Sequence, residues 1–98
     1  MFSGGDYDEV GRWLWNFAES HAKRENLHAA VLLDREGPRE GTAYGLRVRV
    51  GERPSPEIEL AYADVRDRRG SLAWCQALAD RVRGLVRDLT AASRQRSA

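Results

Sequence analysis

A strict apolar/polar alternation, Tyr44-Gly45-Leu46-Arg47-Val48-Arg49-Val50, is answered after a proline-containing segment by Glu57-Ile58-Glu59-Leu60-Ala61-Tyr62. A period of two sends successive side chains to opposite faces of a sheet, so the two segments read as an antiparallel hairpin with one buried and one solvated face. With Pro54-Ser55-Pro56 as the connecting turn, Val50 faces Ile58, Val48 faces Leu60 and Leu46 faces Tyr62, while Arg49 meets Glu59 outside. Such cross-strand pairs are each worth about 0.2–1 kcal/mol. Gly45 within the strand marks a bulge or the close approach of another group.

The rest of the chain is organised around this hairpin. Asp6 or Asp8 caps a helix with Tyr7, Val10, Leu14, Phe17 and His21 at three- and four-residue spacing, and Asn26 ends it. Leu27 to Asp34 follows as a strand whose side-by-side Ala29-Ala30-Val31-Leu32-Leu33 leaves its inward face undecided. Gly37-Pro38 and Gly41 form a loop. Ser71 is a good N-cap for a last helix running to about Thr90, with Trp74, Cys75, Leu78, Val82, Leu85 and Leu89 on one face and Leu72, Ala79 and Val86 widening it. The small residues Ala73, Ala77, Gly84 and Ala91 line its other side, where a neighbouring helix carrying Gly11, Ala18 and Ala22 could approach closely. The expected fold is α+β: helix, three strands, helix, with a three-stranded antiparallel sheet and both helices packed on one face. The expected organisation is a flexible start at 1–5, a single domain at 6–92 and a polar tail at 93–98.

Composition narrows the functional classes. The 98 residues carry 16 Lys and Arg against 15 Asp and Glu, and the two signs are interspersed, so no net field draws in nucleic acid or an anionic membrane. All of the basic residues but Lys23 are Arg. The lone Cys75 excludes an intramolecular disulfide and suits a reducing compartment, giving a cytoplasmic expectation. No charged-then-apolar leader opens the chain, and Ala29 to Leu33 is too short an aliphatic run to span a bilayer.

Candidate chemistry is sparse. Catalysis needs a nucleophile beside a base, or paired carboxylates in a cleft, and neither is evident, so no enzyme, metal or cofactor is expected. His21 and Glu25 stand one helical turn apart, but His28 lies past the helix end, and Cys75 projects from a face committed to the core. No phosphate-binding glycine loop is present. The best local candidate is the loop Arg66-Asp67-Arg68-Arg69-Gly70-Ser71, where Arg66, Arg68, Arg69 and Ser71 could hold an anion or RNA phosphate before a helix N-terminus. Trp15 sits off the apolar stripe of the first helix, either over the small-residue stripe of the last helix or as a subunit contact or ligand platform. A first strand apolar on both sides leaves Val31 and Leu33, or else Ala30 and Leu32, uncovered. With Trp15, Leu72 and Val86, that surplus marks an interface.

The element order resembles the double-stranded-RNA-binding domain. Gly37-Pro38 is followed six residues after the proline by the aromatic Tyr44 and the alternating Leu46, Val48 and Val50, as a Gly-Pro loop precedes the strand in that family. The resemblance implies a loop entering a minor groove and basic residues gripping phosphates at the start of the final helix. Glu40 stands where that family has a loop histidine, and the final helix opens Ser71-Leu72-Ala73-Trp74-Cys75 without paired lysines. The leading expectation is therefore a non-enzymatic interaction module that associates with itself or another protein. The alternative is a divergent RNA- or anion-binding domain using the 66–69 arginines.

Overall fold

In the computed structural model, residues 6–96 are described, with side chains through Ala92, and the expected flexible start at 1–5 lies outside them. Asp6 opens helix α1 (Tyr7–Glu25) by accepting the Glu9 N–H at 2.8 Å. Asp8 and Glu9 in the first turn and Lys23 and Arg24 in the last suit the helix dipole, and Asn26 is the C-cap. Strand β1 (Ala29–Asp34), a single 3-10 turn (Gly37–Arg39) and strand β2 (Ala43–Val50) follow. Next come β3 (Arg53–Pro54), β4 (Ile58–Ala61), α2 (Tyr62–Arg68) and α3 (Leu72–Arg96). The fold is α+β with a four-stranded antiparallel sheet. β2 is central, with β1 on one side and both β3 and β4 on the other. α3 outruns the expected stop at Thr90, so residues 93–96 of the expected tail are helical in backbone.

The sheet is three strands wide because its third strand is broken. The turn is Gly51-Glu52, with Val50 opposite Arg53, and not Pro54-Ser55-Pro56. Gly51 has φ 63° while Glu52 stays out of the left-handed region, the type II′ pattern that matches strand twist. Farther along, Leu46 faces Ile58 and Tyr44 faces Leu60, so the observed pairing is displaced by four residues from the one the sequence suggested, and Glu59 faces Gly45 instead of Arg49. An even displacement leaves every side chain on its expected face. The extra residue is absorbed at Ser55, the one buried polar residue among the described core: its N–H donates to Val48 O at 2.8 Å, and its Oγ accepts the Val48 N–H at 3.0 Å and donates to Pro56 O at 2.8 Å. Ser55→Ala strands the Val48 N–H in the interior and is expected to cost about 1–3 kcal/mol, read as a lower urea midpoint at unchanged m-value.

The inner face of the sheet carries Ala29, Val31, Tyr44, Leu46, Val48 and Ile58. They join Val10, Leu14, Ala18 and Ala22 of α1 and Leu78, Val82 and Val86 of α3 in one core. α1 lies across β1, α3 lies across β2, and the two helices touch. Contacts between Trp13 and Trp74 at one end and between Asn26 and Thr90 at the other make them parallel. The expected meeting of two small-residue stripes does not occur: Gly11, Ala18 and Ala22 of α1 are buried, with Gly11 against Tyr44 of the sheet, whereas Ala73, Ala77 and Ala91 of α3 face solvent. The buried arc of α3 is centred on Leu78, Ala79, Val82 and Val86. α2 was not expected. Its fully buried Val65 seals the end of the core beside β4.

Candidate functional site

β1 is an edge strand, paired only with β2, and its outward backbone groups decide what that edge can do. Trp15 Nε1 donates to Val31 O at 3.1 Å, and Lys23 Nζ donates to Ala29 O at 3.0 Å. The Ala29 N–H donates to Asn26 O at 2.9 Å. By the alternation of a strand, Leu33 also turns its N–H and C=O outward, and no hydrogen bond from a described residue reaches them. The outward carbonyls of the first half of the edge are therefore capped by α1, and the second half is open.

A groove runs along that open half. It consists of two contiguous hollows of about 1030 and 530 Å³, which share Asp8, Leu33 and Arg35. One is lined by Asp6, Tyr7, Asp34, Glu36 and Glu40, and the other by Gly11, Arg12 and Trp15. Tyr7 lines it and packs against two further tyrosines. Tyr44 stacks on Tyr7 with centroids 4.7 Å apart and planes at 5°, and Tyr62 meets Tyr7 edge-on at 5.8 Å. Tyr44 OH donates to Tyr7 O at 2.6 Å, and Tyr7 OH donates to Ala43 O at 2.6 Å. Burial pushes both phenols above their ordinary value, so they remain neutral donors. Gly11 lets the sheet come this close to α1, since a Cβ there would stand 3.0 Å from the Tyr44 ring. Arg35 lies over the same glycine and reaches Asp8 at 3.5 Å.

On the outer face of the sheet, Arg39 bridges Asp34 at 2.7 Å and Glu57, with Glu59 at 3.6 Å, and Arg47 approaches Glu57 at 3.4 Å. This network crosses Gly45, where a Cβ would fall 2.6 Å from Glu57 Oε2. The glycine thus marks a close approach and not a bulge.

The interface candidates sort differently from expectation. Val31 is buried, and Leu33 packs against the core on the inner face. Ala30 and Leu32 are therefore the outward pair, because Val31 pairs with Val48 and Leu33 with Leu46. Val86 is fully buried and offers no surface. Leu72 is 73% exposed at the start of α3. Trp15 does not lie over α3. It stands against the β1 edge, 37% exposed, and Leu32 beside that edge is 39% exposed.

The arginine segment is not a loop. Arg66 and Arg68 lie in the last turn of α2, and Arg69 is its C-cap. The Arg66 guanidinium lies 5.3 Å from the Tyr62 ring and donates from Nε to Asp67 Oδ1 at 2.8 Å, and the Arg69 guanidinium sits 6.0 Å from the Trp13 ring. Ser71 Oγ accepts the Trp74 N–H at 3.3 Å as the N-cap of α3.

Cys75 donates its S–H to Arg69 O, and burial raises its pKa, which opposes thiolate formation. His21 packs on Phe17, and its pKa is lowered by burial and by Arg24 and Arg83. Glu25 is taken by Arg83 at 2.8 Å. No group of three or more His, Cys, Asp or Glu placed to hold a metal occurs among the described residues, and none of their helices is long and apolar enough to cross a membrane.

Tyr7, Asp8, Lys23 and Arg35 were not singled out as site residues by sequence reasoning, and Leu32 stood there only as one of two alternatives. The only available signal was the single Lys of the chain, placed in the last turn of α1. Fold and groove together define a helix-backed antiparallel sheet with one half-open edge. No protein-family model, curated protein or solved structure matches the chain.

Proposed function

We propose that the chain is a non-enzymatic protein-interaction module and that its contact surface is the side where α1 meets the open edge of β1. The observation that carries this reading is Trp15. Its indole is fixed to a strand carbonyl while the residue stays more than a third exposed at the strand edge, a rigid amphipathic anchor of the kind that concentrates binding energy at protein interfaces, and Leu32 of the same strand is exposed as well. Outside this region the exposed large apolar residues among those described are Leu27, after α1, and Leu72, at the start of α3, whereas Val31, Leu33 and Val86 are drawn into the core or packed against it. The Cys75 and histidine environments favour binding over catalysis, and the unpaired thiol favours a cytoplasmic setting. Nucleic acid is a weaker reading. The segment after β1 that would enter a minor groove carries Glu36 and Glu40, and Arg39 within it is held by carboxylates.

The test is photocrosslinking in cells with p-benzoylphenylalanine at position 32, with position 72 as the control. A discrete adduct at 32 that is lost on Trp15→Ala is expected. A mass of twice 11.1 kDa identifies a second copy of the chain, and any other mass identifies a different protein. No adduct at 32, or the same adducts from 72, removes the reading.

A further inference from the structure

Resting on that reading, we infer that the occupant of the α1–β1 groove is an extended, Arg- or Lys-bearing segment of a partner protein, which adds to β1 at Leu33. Backbone comes first. An open strand edge is a template for another strand, and here the template is bounded: Lys23 and Trp15 hold the outward carbonyls of Ala29 and Val31, so Leu33 is the first residue whose outward N–H and C=O are both free. A segment docking there continues beside Asp34, Arg35 and Glu36, along the floor of the groove.

Charge then selects the occupant. The chain as a whole is net +1, yet this groove gathers Asp6, Asp8, Asp34, Glu36 and Glu40 around Arg35 alone, with Arg12 at its far end. Arg39 accounts for Asp34, and the Arg35–Asp8 pair is long and solvent-exposed, so it is readily exchanged for a partner cation. The exposed Trp15 ring at the end of the groove adds a face on which a guanidinium can stack. A small cation finds only scattered carboxylates here.

A second copy pairing antiparallel about Leu33 would set its Val31 opposite Arg35, where its own Trp15 already occupies the Val31 carbonyl. It would also bring two acidic grooves together. A strand from a different, basic protein meets neither obstacle.

The probe is an N-acetylated peptide of about ten residues alternating Arg and Val, added to the full isotopically labelled chain, with a Glu/Val peptide of the same pattern as control. The Arg peptide is expected to shift the Leu33 amide and the Trp15 indole N–H, to slow hydrogen exchange at Leu33, and to lose about tenfold in affinity between low and high salt. Glu36→Gln with Glu40→Gln, both exposed and outside the core, is expected to weaken it about fivefold. Equal binding of the two peptides, shifts confined to the outer-face carboxylates Glu57 and Glu59, or no binding at millimolar peptide each overturns the inference. If the peptide fails while the position-32 adduct persists, the module stands with a partner of different chemistry. If both fail, the module falls as well.

Discussion

Tyr44→Ala is expected to cost about 3–5 kcal/mol, the range for deleting a large buried aromatic. For a domain of this size that is a large fraction of the total stability. Tyr44 is fully buried, stacks on Tyr7, closes on Gly11 and donates to the Tyr7 carbonyl, so its removal opens a cavity where α1, β2 and α2 converge. Tyr44→Phe keeps the ring and loses only the hydrogen bond, for about 0.5–1.5 kcal/mol. Urea melts of the two variants separate packing from polar anchoring. A Tyr44→Ala loss below 1 kcal/mol would show that the ring does not sit between helix and sheet.

Leu46→Ala is expected to cost about 2–5 kcal/mol, whereas Arg47→Ala, one residue on, should stay within about 0.5 kcal/mol of wild type. Leu46 is fully buried between Leu33 and Ile58, while Arg47 points to solvent and makes a 3.4 Å ion pair with Glu57. Similar losses at both positions would contradict the assignment of the inner face.

The alternation that separates those two residues was legible from the sequence, and so were both long helices, because each repeats its period over several turns. The register was not. Pro54-Ser55-Pro56 looks more turn-like than Gly51-Glu52, yet Pro54 needs no N–H in a strand without an outer neighbour, and Ser55 lends its hydroxyl where the ladder breaks. The inward face of β1 was hidden by five consecutive apolar residues and was decided only by pairing with β2. α2 was illegible because two turns with one buried residue, Val65, show no period. The groove drew on residues 6–8, 11–15 and 33–41, which nothing local in the sequence brings together. Trp15 could be placed off the apolar stripe of its helix, but no helical wheel says where a sheet edge will pass.

The caps that Lys23 and Trp15 place on β1 also govern how the protein fails when heated. Ala29 to Leu33 carries no charge and no proline, which makes it the window of the chain best suited to stacking with copies of itself, and it is folded at a sheet edge. While α1 is docked, two of its outward carbonyls are occupied by the helix's own side chains. Once α1 lifts away, the whole edge is released at once, and intermolecular capture competes with refolding. Thermal unfolding is then expected to be irreversible, with a midpoint that depends on scan rate and protein concentration, so that durability would follow the rate at which one helix undocks and not the equilibrium stability of the core.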